Sequence, residues 1–206
     1  GPVDPGEPLR VAGSIKSLAL KHCVITSVCR DDLDDQGASF WARTLRTIKN
    51  INPGITMEAL IPDFGNDHKL LDMVINEKPE VISHNIETVA RISPMIRSIA
   101  TYEKSLKVLE YLSGLVPITK SGFMAGIGET EAEVMRTMDD LLNAGVKVLT
   151  IGQYLPPSER HARLVEYIRP EVFAYYKTAG LQKGFRFVES GPLVRSSYHA
   201  ERHIHI

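Results

Sequence analysis

The 206-residue chain carries 24 Lys and Arg against 25 Asp and Glu, a formal net charge of −1, and 43% of its residues are hydrophobic. That balance excludes a general nucleic-acid or acidic-membrane binder, and no apolar run approaches the ~20 residues of a bilayer span. Two cysteines in the whole chain do not build a disulfide scaffold and fit a reducing compartment.

Short apolar runs alternate with longer amphipathic segments. The opening Gly1–Pro8 is rich in Pro and Gly and reads as a linker. Glu7 to Leu20 has helical spacing, and Cys23 to Val28 reads as a buried strand. Ser39 to Ile51 predicts a helix closed by the turn signal Asn52-Pro53-Gly54, followed by a strand over Ile55 to Ile61. Lys69 to Asn76 predicts a helix, Glu80 to Ile86 a strand, Tyr102 to Ser113 a helix ending at Gly114, and Pro117 to Met124 a strand. Glu131 to Ala144 follows as a helix with Gly145 at its end and Thr130 as a candidate cap. Val146 to Ile151 reads as a strand, Glu171 to Lys183 as a helix stopped by Gly184, and Phe185 to Glu189 as a last short strand.

This alternation implies right-handed βαβ units and a parallel sheet, an α/β fold. About six strands are too few for a closed eight-stranded barrel, which leaves an incomplete barrel or a doubly wound sheet. Polar residues gather where such folds place ligands, at the carboxyl ends of strands. Arg30-Asp31-Asp32 follows the first strand, His84 to Thr88 the third, Gly126 to Thr130 the fourth, and Gln153-Tyr154 the fifth.

The glycines of Gly122 to Gly128 allow a backbone to approach a ligand closely, although a plain βα loop has the same composition. Glu131 and Glu133 in the first turn of the next helix argue against a phosphate there, which disfavours a phosphate-binding barrel. Asn85 and Glu87 share a face if their strand persists, and an amide with a carboxylate suits a ribose diol; a helix cap competes with that reading. His84 then points to the opposite face, as a packed core residue. Cys23 and Cys29, six residues apart along a strand, lie about 20 Å from each other, too far to share a [4Fe–4S] cluster, and two thiolates fall short of four ligands. His199, His203 and His205 read as a polar tail, and Met124, Met135 and Met138 as core filler.

Six ordered blocks carry a family resemblance. Val24 to Leu33 resembles the ITSVxRDDL block of lipoyl synthases, and Glu58 to Asp63 their ExLIPDF block. Ser83 to Thr88, Thr119 to Met124 with Gly128 to Thr130, and Thr150 to Leu155 match further blocks. Arg195-Ser196-Ser197-Tyr198 with Ala200 resembles the closing RSSYxA signature. The resemblance runs from about Glu7 to the end.

It implies a partial parallel (β/α)6 radical S-adenosylmethionine (SAM) barrel missing its first strand, with residues 1–8 as linker, 9–190 as barrel and 191–206 as a C-terminal segment. It implies insertion of sulfur at C6 and C8 of a protein-bound octanoyl chain on a lipoyl domain or lipoyl carrier protein. One [4Fe–4S] cluster passes an electron to SAM to generate a 5′-deoxyadenosyl radical, and a second cluster supplies sulfur. An electron donor is a further implied partner, with cytoplasmic location, or mitochondrial in a eukaryote. Gly122, Gly126 and Glu129 resemble the G-x-I-x-G-x-x-E pattern beside the adenine, with Met124 in place of the Ile. Asn85 and Glu87 fall where ribose and methionine contacts are expected, and Thr26 and Ser27 where a strand nears the SAM amino group. Lys120 and Gln153 join this SAM set. Ser197 maps to an oxygen ligand of the auxiliary cluster, with Arg195 and Tyr198 in the same motif.

The family's C-x3-C-x2-C and C-x4-C-x5-C motifs do not occur in this sequence. The expectation is therefore a chain that assembles neither cluster and is catalytically silent, with its first strand at an exposed sheet edge. The alternative is a cluster-free relative that binds a lipoyl domain or a nucleotide-like ligand without catalysis.

Overall fold

The computed structural model describes residues 1–97 and 99–204. Six parallel strands form one sheet in sequential order: β1 (His22–Thr26), β2 (Thr56–Leu60), β3 (Val81–Ser83), β4 (Ile118–Ala125), β5 (Val148–Gln153) and β6 (Phe187–Gly191). Sequential parallel order requires each crossover to run the same way, the winding of a barrel and not of a doubly wound sheet. α1 (Glu7–Ser17) precedes β1, and the crossovers carry α2 (Ala38–Ile51), α3 (His68–Ile75), α4 (Ser93–Ile96), α5 (Tyr102–Ser113), α6 (Glu131–Asn143) and α7 (Pro170–Lys183). The expected partial (β/α)6 barrel is what the chain adopts. α1 begins at Glu7, inside the segment read as linker.

Local chemistry explains the boundaries. Thr130 and Glu133 form a reciprocal capping box that starts α6, so the acidic first turn is satisfied within the chain. Gly184, at φ 121°, ends α7 in a conformation only glycine adopts freely. β5 and β6 begin two residues later than the apolar runs suggest, because Val146 and Phe185 lie buried in the turns before them. β3 stops at Ser83, well short of the expected Ile86.

The outer faces of the strands pack on helices in two blocks. Met57, Ala59 and Ile82 meet Leu45, Ile48, Leu71 and Val74 of α2 and α3, while Phe123, Leu149 and Ile151 meet Val134, Met138, Leu141 and Phe173 of α6 and α7. α5 joins the blocks, with Leu109 in one and Val108 and Leu112 in the other. Period-two alternation sends Ile118, Lys120, Gly122 and Met124 of β4 to the inner face.

That inner face is curled. β1 and β6 are the sheet edges, which in a flat six-stranded sheet lie about 24 Å apart. A 3-10 turn, Ala200–Arg202, packs on β1, while the adjoining His203 ring sits 5.5 Å from the Phe187 ring of β6. Residues 200–204 reach ~17 Å at full extension, so only a curled sheet lets them touch both edges. Ile204 completes an inner cluster with Val81, Ile118, Val148 and Phe187. His203, expected in a solvated tail, is fully buried; the curl turns this segment into a plug across the open side. His205 lies outside the described residues.

Candidate functional site

A cleft of about 170 Å³ opens at the carboxyl ends of β3, β4 and β5. Asn85 and Glu87 form one wall, Gly122, Met124 and Thr150 the floor, and Gly152, Gln153 and Leu155 the far side. Val194, Arg195 and Ser196 of the C-terminal segment cover it.

Asn85 and Glu87 do reach one site, although not by a persisting strand. Glu87 takes the left-handed backbone, φ 67°, and makes an isolated bridge to Phe123. Its amide donates to the Gly122 carbonyl at 3.2 Å, and its carbonyl accepts from the Met124 amide at 2.9 Å. This kink brings both residues to the cleft. Burial raises the Glu87 carboxyl above its ordinary value, opposed by the Arg97 charge and the Asn85 amide.

Gly122 is required by space. A Cβ there would lie 2.3 Å from Thr150 Oγ1 and 3.2 Å from Asn85 Oδ1. Gly126 is equally restricted, at φ 105° with a Cβ position 2.5 Å from the Glu166 carbonyl oxygen. Glu129 turns back on this loop: its carboxylate accepts from the Gly126 and Ile127 amides at 2.6 and 2.9 Å. Arg91 braces the same loop through the Gly128 carbonyl at 2.7 Å. Gln153 clamps the loop to the next connection, donating to the Ala125 and Glu166 carbonyls at 3.2 Å and accepting from the Ile168 amide at 2.9 Å. Glu129 thus shapes the cleft from outside its lining, whereas Gln153 lines it with its side-chain amide already engaged.

The other expected residues separate. Lys120 is not at the cleft surface: it is 1% exposed, two residues below Gly122, and its Nζ lies 2.9 Å from Glu58 Oε2. Glu58 Oε1 accepts from Ser83 Oγ at 2.9 Å. A long side chain pointing inward from the middle of β4 cannot reach the rim. Thr26 and Ser27 line a different cleft, of about 420 Å³, between the end of β1, the N-terminal residues and α2. There Ser27 Oγ accepts from Trp41 Nε1 at 3.0 Å. Ser197 and Tyr198 are exposed and outside the lining of the first cleft, which their neighbours Arg195 and Ser196 enter.

Thr150, Gly152 and Ser196 are cleft residues that the reading of the sequence passed over, and Met124, expected as core filler, lines the cleft as well. The signal was present: alternate positions of β4 and β5 that share a register with Gly122 must share its face.

Cys23 is buried in the outer core and burial pushes its thiol up to about 11. Cys29 lies beyond the end of β1 and is exposed. Among the described residues no three His, Cys, Asp or Glu side chains converge to hold a metal ion. Two cysteines, one buried in the outer core and one at the surface, do not supply the four thiolates that an all-cysteine [4Fe–4S] cluster requires.

His84 is a packed core residue, as its strand position implied: Nδ1 bonds the Ile61 carbonyl at 3.0 Å and Nε2 the Ser105 hydroxyl at 2.9 Å. Burial brings both His84 and His203 down to about 4. The unfolded chain takes up protons near pH 6.5 while the folded chain does not. Stability present above pH 6.5 is therefore lost as pH falls toward 4, by at most about 3 kcal/mol for each histidine. Urea midpoints should fall from pH 7 to pH 4.5, and His203→Leu should flatten that slope.

Comparison with known proteins turns this geometry into a family. The radical SAM superfamily model matches residues 1–141. Lipoyl synthase of Treponema denticola is 57% identical over 203 residues, covering 98% of this chain and 70% of the relative. The Bacteroides fragilis enzyme is also 57% identical, and that of Porphyromonas gingivalis 55% identical with 72% of its length covered.

The chain belongs to the lipoyl synthase family.

Lipoyl synthases make the lipoyl cofactor and are radical SAM proteins dependent on SAM and iron–sulfur chemistry, acting on lipoyl domains. Streptococcus suis SuiB has the same fold over 95% of this chain and 45% of its own, with a TM-score of 0.67 and 8% identity. No helix among the described residues is long and apolar enough to cross a membrane.

Proposed function

We propose that this chain is the part of a lipoyl synthase that holds the nucleoside and methionine portions of SAM, for sulfur insertion at C6 and C8 of an octanoyl group on a lipoyl domain or lipoyl carrier protein. The observation that carries this is the cleft at the ends of β3 to β5, where a half-buried amide and carboxylate face a floor that a single Cβ at position 122 would fill. Asn85 and Glu87 have the donor and acceptor chemistry for the two hydroxyls of a ribose, and the Gly122 floor accepts a flat ring closely. Gly126 and Glu129 hold the adjoining loop, and Gln153 fixes its far end. SAM supplies the adenosyl radical chemistry needed for unactivated C–H bonds, while this chain's residues bind, orient and exclude water.

Thr26, Ser27 and Lys120 are not part of the nucleoside pocket in this reading. Thr26 and Ser27 serve the neighbouring cleft, and Lys120 supports the floor from below. Ser197, exposed beside Tyr198 and two residues beyond the cleft-lining Arg195, keeps the role of an oxygen ligand to an auxiliary cluster whose thiolates come from elsewhere. By itself the chain assembles neither of the family's two [4Fe–4S] clusters and turns over nothing. Its setting is the cytoplasm, or the mitochondrion of a eukaryote, with a reductant as electron donor.

Titration calorimetry with S-adenosylhomocysteine tests the pocket. Saturable binding is expected, weakened at least about tenfold by Gly122→Ala, whose methyl fills the floor, or by Glu87→Gln, which loses one charge-assisted bond. Undiminished affinity in both variants would overturn the assignment. Anaerobic reconstitution with iron and sulfide should leave far fewer than four irons per chain; a stoichiometric [4Fe–4S] signal would overturn the claim of inactivity.

A further inference from the structure

Arg97, in the connection after α4, was not singled out by any motif, yet it joins the cleft to a buried chain of hydrogen bonds. Its Nη1 donates to the Asn85 main-chain carbonyl at 3.0 Å and to Ser105 Oγ at 3.2 Å. Ser105 Oγ lies 2.9 Å from His84 Nε2, and His84 Nδ1 lies 3.0 Å from the Ile61 carbonyl. The direction of every bond is fixed by its ends. A carbonyl only accepts, so His84 carries its proton on Nδ1 and offers Nε2 as acceptor. Ser105 must then donate its one proton to Nε2 and present its oxygen to Arg97, a group that only donates. Ser105 and His84 are 0% and 1% exposed, and each finds its partners within the protein.

The same guanidinium acts on Glu87. The groups that face this carboxylate come from three elements: Arg97 after α4, Cys29 after β1, and Arg195 of the C-terminal segment lining the same cleft. Arg195 Nη1 is engaged with the Val194 carbonyl at 2.7 Å. Partial burial and the Asp31 carboxylate raise the Cys29 thiol, which keeps it neutral. Arg97 is left as the cation that opposes the burial of Glu87. We propose that Arg97 is a positioning residue of the cofactor cleft, which fixes Asn85 through its main-chain carbonyl and brings a positive charge to the side of the cleft where Glu87 meets a vicinal diol. The proposal rests on the nucleoside reading of this cleft and deepens it by naming the residue that holds one wall in place.

Two measurements separate the proposal from that reading. In the ligand-free chain, NMR titration of the Glu87 side-chain carboxyl should show its midpoint rising in Arg97→Gln and staying near wild type in Arg97→Lys. An unmoved midpoint in Arg97→Gln overturns the proposal whatever binds. Second, the affinity for S-adenosylhomocysteine is followed from pH 5.5 to 8.5. Arg97→Gln should bind more weakly than wild type at every pH, with a deficit about tenfold larger at the acid end that narrows as pH rises to the constant part due to Asn85, one unit of midpoint corresponding to a factor of ten. A merely structural role for Arg97 predicts an equal loss at every pH, which overturns the proposal. Ser105→Ala should weaken binding without a pH-dependent part, because it loosens Asn85 and leaves the charge in place. If wild type binds no nucleoside at any pH, the reading of the cleft fails, and the NMR result still decides whether Arg97 sets the charge of Glu87.

Discussion

Replacing Glu58 by alanine is expected to destabilise the chain by about 3–5 kcal/mol, because it strands the Lys120 ammonium in the interior. Lys120 and Glu58 are 1% and 0% exposed and meet at 2.9 Å, with Ser83 satisfying the second carboxylate oxygen. The pair lies in a layer between the apolar plug of Val81, Ile118, Val148 and Ile204 and the floor of the cleft. No solvent reaches either group to compensate the loss of its partner. Replacing both, Glu58→Leu with Lys120→Met, removes the charge instead of isolating it, and should recover most of the lost stability. Urea denaturation at pH 7 checks both. A single variant within about 1 kcal/mol of wild type would show that the layer is hydrated and that the pair contributes little.

Gly152→Ala is expected to detach the C-terminal segment from β5. A Cβ at position 152 would sit 2.3 Å from the Val194 carbonyl oxygen and 3.4 Å from Arg195 Nη1. The first neighbour is backbone and cannot rotate away, so the turn carrying Arg195 to Tyr198 must lift from the sheet. Overpacking of this kind costs about 1–3 kcal/mol, and here it also opens the cleft that Val194, Arg195 and Ser196 cover. Limited proteolysis should cut after Arg195 faster than in wild type, and nucleoside affinity should fall at least about tenfold. Gly191→Ala is the control: its Cβ would meet only the flexible end of Val194 at 3.4 Å, and it should leave both readouts near wild type. Equal behaviour of the two variants would mean that the segment is not seated on β5 as described.

Which side chains form the cleft was partly legible in the chain. Asn85, Glu87, Gly122 and Gln153 were expected together and line one cleft. The assumption that carried the first two, a persisting strand, does not hold; the positive φ of Glu87 does the same work. Thr26, Ser27 and Lys120 were placed beside them by the family resemblance, and motif positions along the chain do not say how far the sheet curls. With the curl present, Thr26 and Ser27 open toward α2, and Lys120 faces Glu58 across the interior. Arg97 escaped because its partners are a main-chain carbonyl and a serine, neither of which leaves a pattern in the sequence.

The sequence by itself determined the elements, their order and the family. Helix and strand periodicities are local properties, read within about a dozen residues, and caps such as Thr130 with Glu133 lie three residues apart. Only the tertiary structure decided what meets inside the barrel. Lys120 and Glu58 are 62 residues apart in the chain, and His203 becomes buried because a curled sheet brings its two edges within reach of a five-residue segment. Such contacts depend on the summed twist and stagger of six strands, to which every residue contributes and which no short stretch encodes.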